Sequence, residues 1–118
     1  MSDRILIADL ELLARIGITG EERSAAQRLT VSLVLHPWRE FSTLEDNIAN
    51  TVDYAQVCAA IRSLASQQSR NLIETLAEEI AQMLLSDFAV QAVEIELRKY
   101  ILPETAFVAV KIHREAAR

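Results

Sequence analysis

Apolar residues in this chain change their spacing twice, and the order of those spacings limits the folds open to it. They alternate from Arg4 to Ile16 and again from Gln27 to His36. They then recur at helical intervals from Val57 to Leu64 and from Ile73 to Leu84, and alternate once more from Val93 to Leu97 and from Phe107 to His113. Alternation marks a strand with one buried face, while i, i+3, i+4 recurrence marks an amphipathic helix. The chain therefore reads ββααββ, an α+β arrangement in which a four-stranded antiparallel sheet carries both helices on one face.

Particular residues fill in that outline. In the first run Ile5 and Ile7 are expected on one face, with Leu6, Ala8, Leu10, Leu12, Ala14 and Ile16 on the other. In the second, Leu29, Val31, Leu33 and Leu35 share a face, and Pro37 ends the strand because proline cannot continue a ladder. These two strands are expected to pair as a long hairpin. Asp53 is placed to cap the first helix, with Gln56 at its third position and Val57, Ala60, Ile61 and Leu64 as its apolar stripe. Gln67 to Arg70 form the break. Asn71 is expected to cap the second helix, with Glu74 placed for a capping box and Ile73, Leu76, Ala77, Ile80 and Leu84 facing the core. Ile101 to Thr105, containing Pro103, join the last two strands. No repeat or linker interrupts residues 1–118, so a single domain is expected.

Four strands in an open sheet leave two unpaired edges, which promotes association between copies. Seventeen acidic against twelve basic side chains give a net charge of −5, which argues against nucleic acid as a partner, since duplex binding rests on phosphate neutralisation. The longest uncharged run, Leu29 to Trp38, is roughly half of what a membrane span requires. The opening Met-Ser-Asp-Arg lacks the basic and apolar regions of a signal peptide, and the lone Cys58 suits a reducing compartment, so a cytoplasmic location is expected. Only two glycines occur in 118 residues, far below the usual ~7%. Both, Gly17 and Gly20, fall in one loop that leads into Glu21 and Glu22.

His36, His113 and Cys58 show none of the clustered spacings of a zinc site, so no metal is expected. No glycine-rich phosphate loop or nucleophile elbow is present. Four other residues have plain structural roles when taken singly. Glu22 suits a solvated carboxylate, Tyr54 a staple at a helix start, Glu74 a helix cap, and Lys99 a solubilising strand end. Their combination and order point elsewhere.

Ile16-Gly-Ile-Thr-Gly-Glu-Glu22 followed by Gln27 resembles the first hairpin of the dihydroneopterin aldolase family. Asp46-Asn-Ile-Ala-Asn-Thr-Val-Asp-Tyr54, Asn71-Leu-Ile-Glu74-Thr-Leu-Ala-Glu78 and Val93-Glu-Ile-Glu-Leu-Arg-Lys99 resemble, in order, that family's tyrosine segment, pterin-anchoring helix start and lysine strand. Two stretches depart from the usual pattern. Ile18 and Thr19 stand where many members carry an aromatic residue or histidine, and Tyr100-Ile-Leu-Pro103 stands where the lysine is often followed by proline or glutamate. The latter also resembles the related dihydroneopterin triphosphate epimerase.

The resemblance implies a tunnelling fold (T-fold) in which rings of four subunits join their strands into a β-barrel, usually stacked as an octamer, with sites shared between subunits. It implies retro-aldol cleavage of dihydroneopterin to hydroxymethyl-dihydropterin and glycolaldehyde on the route to folate, without metal, Schiff base or other cofactor. Glu74 would clamp the pterin's amide-and-amine edge, with backbone near Ile73 and Val52 completing the binding site. Lys99 and Tyr54 would move protons, and Glu22 would position a water or the lysine. A lysine relays protons near neutrality only with a lowered pKa or through a bound water. Two other readings remain: the triphosphate epimerase, and a non-catalytic pterin-binding or assembly module.

Overall fold

The computed structural model describes residues 3–117. Strands β1 (Ile5–Ala14) and β2 (Gln27–Pro37) come first, then helices α1 (Tyr54–Gln67) and α2 (Ile73–Asp87), then strands β3 (Val90–Lys99) and β4 (Val108–Glu115). The sheet runs β1-β2-β3-β4, with every neighbouring pair antiparallel. Both helices lie on one face, α1 against β1 and α2 against β3 and β4. The α+β order expected from the spacing is the one observed.

One apolar layer joins sheet and helices. Leu29, Val31, Leu33 and Leu35 of β2 are buried against Val57 and Ile61 of α1 and Leu76, Ile80 and Leu84 of α2, with Val93, Ile95 and Leu97 beside them on β3. Each fully buried leucine or isoleucine contributes about 1.5–3 kcal/mol relative to exposure. Asp53 caps α1 as expected, its Oδ1 accepting from the backbone N–H of Ala55 at 3.1 Å and Gln56 at 3.3 Å.

Three expectations need correction. The faces of β1 are not constant along the strand. Ile7 pairs with Leu33 and Leu10 with Val31, so Ala8 and Asp9 form a bulge opposite Ser32, with Asp9 at φ 56° and its N–H donating to Ser32 Oγ at 3.0 Å. An extra residue inverts the alternation. Ile5 and Ile7 therefore join Leu10 and Leu12 on the helix side, while Leu6 and Ala8 are exposed. Secondly, β1 stops at Ala14. Ile16, fully buried, makes a parallel bridge with Arg70 instead of pairing with β2. Thirdly, Asn71 does not cap α2. The cap position belongs to Leu72, no side chain accepts there, and Glu74 is the exposed second helical residue, not a member of a capping box.

The sheet face away from the helices carries polar and charged side chains, among them Ser32, Glu94, Glu96 and Lys111. A concavity of about 390 Å³ lies along it. It does not include Glu22, Glu74 or Lys99. Among the described residues no helix is long and apolar enough to cross a membrane.

Candidate active site

The loop between β1 and β2 is held by a dense set of bonds that begins at Gly17. Its φ is 150°, and a Cβ there would lie 2.4 Å from Glu22 Cβ and 2.7 Å from Glu22 Cδ. Glycine is required twice over, by the backbone and by the approach of Glu22. Gly20 has no such role, since nothing comes closer to a Cβ there than an Arg23 nitrogen at 3.9 Å. Gly17→Ala is expected to lower stability by more than about 1 kcal/mol, read from the urea midpoint, with Gly20→Ala close to unchanged. Equal effects at both positions would contradict this account.

Thr19 and Glu22 then fasten one another. The Thr19 hydroxyl accepts from Glu22 N–H at 3.1 Å, and Thr19 N–H donates to Glu22 Oε1 at 3.3 Å. The Gln27 amide donates to the carbonyls of Ile16 at 2.5 Å and Glu22 at 3.1 Å, and Arg23 donates to those of Gly17 and Ile18 at 2.7 and 2.9 Å. These bonds fix Glu22 at the sheet end where β3 finishes.

Lys99 is the last residue of β3, opposite Leu29 on β2. Alternation puts it on the helix side with Ile95 and Leu97, and its side chain is only 13% exposed. Its Nζ stands 3.7 Å from Glu22 Oε2, a charge contact longer than a hydrogen bond. The Thr19 N–H, with the Lys99 ammonium as a further contributor, holds the Glu22 carboxyl below its ordinary pKa, against partial desolvation. Glu22 therefore stays ionised at neutral pH.

Arg70, which the sequence suggested only as part of a break, ties this loop to α2. Arg70 N–H donates to Arg15 O at 3.0 Å, and Gly17 N–H donates to Arg70 O at 3.1 Å. Its guanidinium, 4% exposed, donates to the carbonyls of Leu64, Ala65 and Gln68 and pairs with Glu79 at 2.7 Å. It thereby satisfies carbonyls that the end of α1 leaves open. Nothing in the local sequence distinguishes this arginine from a solvated one. The bridge sets the start of α2, with buried Ile73 and exposed Glu74, beside the glycine loop.

Tyr54 and Val52 lie elsewhere. The C-terminal end of α1 is the end held at the glycine loop by Arg70. Tyr54 opens the 14-residue helix, so it sits about 20 Å away at the other end of the sheet. Tyr54 is exposed and Val52 buried. One protomer thus brings Glu22 and Lys99 into contact, with Glu74 and Ile73 nearby, and leaves Tyr54 and Val52 apart from them. Among the described residues no group of three His, Cys, Asp or Glu side chains is placed to hold a metal ion.

Comparison with known proteins identifies the family. The family model described as dihydroneopterin aldolase matches residues 5–113. A dihydroneopterin aldolase of Methylorubrum extorquens is 32% identical, the match covering 97% of this chain and 91% of that protein. The structure of Escherichia coli dihydroneopterin aldolase in complex with neopterin matches with a TM-score of 0.88 at 28% identity, over 95% of this chain and 98% of that one. That of a Burkholderia thailandensis dihydroneopterin aldolase bound to guanine matches with a TM-score of 0.80 at 25% identity, over 98% and 93%. Since the family match runs from β1 into β4 and takes in the glycine loop, the start of α2 and the end of β3, the chain belongs to the dihydroneopterin aldolase family.

Proposed function

We propose that this chain is a dihydroneopterin aldolase, cleaving its substrate between the first two side-chain carbons. The observation that carries this reading is the largely buried Lys99 amine facing an ionised Glu22 at 3.7 Å, beside the uncapped start of α2 that bears Glu74. Neopterin and guanine, the molecules in the two related structures, share an amino-pyrimidinone edge. Two carboxylate oxygens suit its N–H groups, and Glu74, free of any capping duty, supplies them. The first N–H groups of α2, beginning at Ile73, receive no side-chain cap, which leaves them as candidate donors for the ring carbonyl.

Bond cleavage then needs proton transfer at two places. A base takes the proton of the second-carbon hydroxyl, that oxygen becomes the aldehyde of glycolaldehyde, and the carbon–carbon bond breaks. Its electron pair moves into the pterin imine. An acid then protonates the first carbon, giving hydroxymethyl-dihydropterin. Lys99, with a water positioned by Glu22, handles the hydroxyl proton, and Tyr54 exchanges a proton with the carbon. Because the imine accepts the electrons, this route uses no metal and no Schiff base. Tyr54 must come from a second copy, as must the backbone near Val52. That requirement fits assembly through the open edges at β1 and β4 into a four-subunit barrel ring, stacked as an octamer. A cytoplasmic location accompanies this reading.

One observation favours a substrate with an uncharged tail over a triphosphate. Arg98 and Arg28, next to Lys99 and its partner Leu29, lie on the opposite sheet face and already meet carboxylates, Arg98 with Glu96 at 2.6 Å and Asp9 at 3.8 Å, and Arg28 with Glu11 at 2.5 Å. Arg23, beside Glu22, is engaged by the carbonyls of Gly17 and Ile18. Purified protein is therefore expected to release glycolaldehyde from dihydroneopterin faster than it acts on the triphosphate. The reverse order would favour the epimerase, and pterin binding without release would favour a non-catalytic module. Glu74→Ala is expected to weaken pterin binding roughly ten- to a hundredfold, the loss of charge-assisted hydrogen bonds worth about 1.5–3 kcal/mol, measured by titration calorimetry. An unchanged dissociation constant would remove Glu74 from the site.

A further inference from the structure

β3 ends at Lys99, and the next residue is anchored on the far side of the sheet. The Tyr100 hydroxyl lies 2.8 Å from Thr30 Oγ1 on β2, the Arg28 guanidinium sits 4.8 Å from the Tyr100 ring centre, and the Phe107 ring meets it edge-on at 6.3 Å. Arg28 is itself held by Glu11. Arg98, on the other side of Lys99, lies over the Phe107 ring at 4.2 Å and pairs with Glu96. Both neighbours of Lys99 are thus fastened on the open face, while Lys99 alone points to the helix side and Glu22.

The Tyr100–Thr30 bond is the least replaceable part of this arrangement. Thr30 is 2% exposed, so without Tyr100 its hydroxyl loses a partner where water does not readily substitute. The residues opposite Arg98 and Lys99 are Thr30 and Leu29, so the bond crosses the sheet at the register position that sets the Lys99 backbone. The loop beyond, residues 101–107, is exposed throughout and offers no comparable hold.

We propose that Tyr100 is a positioning residue for Lys99: bonded to Thr30 and stacked by Arg28, it fixes the end of β3 so that the amine stays opposite Glu22. The inference rests on the reading of Lys99 as the proton-handling group. It explains how this chain, which lacks proline after the lysine, restrains the backbone there. A small displacement of a reacting group costs rate and leaves substrate affinity largely alone, because Glu74 and the start of α2 are not connected to Tyr100.

Tyr100→Phe keeps the ring against Arg28 and Phe107 and removes only the hydroxyl. In steady-state assays of glycolaldehyde release, kcat is expected to fall about five- to tenfold in Tyr100→Phe and in Thr30→Val, with KM changed less than about twofold. The double variant should be no worse than Tyr100→Phe alone, since that substitution already deletes the bond to Thr30 along with the hydroxyl's contacts to Arg28 and Arg98. Thr30→Ser, which restores a hydroxyl, should recover most of the rate and also guards against a folding failure in Thr30→Val. An unchanged kcat in Tyr100→Phe, additive losses, or a rise in KM in place of the fall in kcat would overturn the proposal. Absence of glycolaldehyde release by the unaltered protein would instead overturn the aldolase reading, so the two failures are distinguishable.

Discussion

Lys99→Ala is expected to lower glycolaldehyde release by about 10²–10⁴-fold, the usual contribution of a positioned acid or base, with pterin affinity changed less than about tenfold. The separation follows from position. Lys99 ends β3 and faces Glu22, while Glu74, the proposed pterin clamp, lies on the first turn of α2. Folding should be little affected. Glu22 keeps its bonds from Thr19 and remains partly exposed, at 29%, so water solvates the carboxylate once the ion pair is lost. Lys99→Arg should be nearly as slow, because a guanidinium preserves the charge near Glu22 but does not give up its proton. Full turnover in Lys99→Ala would remove the lysine from the mechanism. A collapse of pterin binding with normal turnover at saturation would exchange its role with that of Glu74.

Arg70→Met should have the largest effect on stability, about 2–4 kcal/mol, since it leaves three carbonyls at the end of α1 without their donor, while the partly exposed Glu79 carboxylate turns to water. Methionine fills much of the same volume, so the loss reflects the polar contacts more than a cavity. The consequence reaches the active site. Arg70 joins the end of α1 to Glu79 on α2, and its backbone bridges Arg15 and Gly17. Variant molecules that still fold should therefore show slower turnover and weaker pterin binding together, unlike Lys99→Ala. Urea unfolding at fixed protein concentration checks the first expectation, because any oligomer makes stability concentration-dependent. A loss below about 1 kcal/mol would show that the buried guanidinium is replaceable.

The elements legible in the sequence were those that repeat. Val57 and Ile61 on α1, Leu76, Ile80 and Leu84 on α2, and Leu29 to Leu35 on β2 announce their buried faces by spacing, and the Asp53 cap is a local bond that neighbours alone can make. The faces of β1 are not legible from spacing because its two apolar frames, Ile5 with Ile7 and Leu6 with Ala8, fit either face. The bulge that chooses between them is set by pairing to Ser32 and Val31 on β2. Asn71 carries the chemistry of a cap but not the place of one, since Arg70 enters α2 from the bridge to the glycine loop and the helix starts only after Leu72.

The candidate site divides along the same line. The family resemblance singled out Glu22, Tyr54, Glu74 and Lys99 as the expected site residues, where each taken singly suits a plain structural role. Glycine scarcity also marked the loop before Glu22 as the permissive stretch of backbone. Which of those groups meet was decided in three dimensions. Glu22 reaches Lys99 because Gly17 leaves room for it and β3 stops with the lysine on the helix side, whereas Tyr54 lies one helix length away. Spacing along a chain is a local property that side-chain period and helix geometry set directly. Contact between residues distant in sequence depends on strand register, a bulge and one buried arginine, and these follow from the packing of the whole sheet.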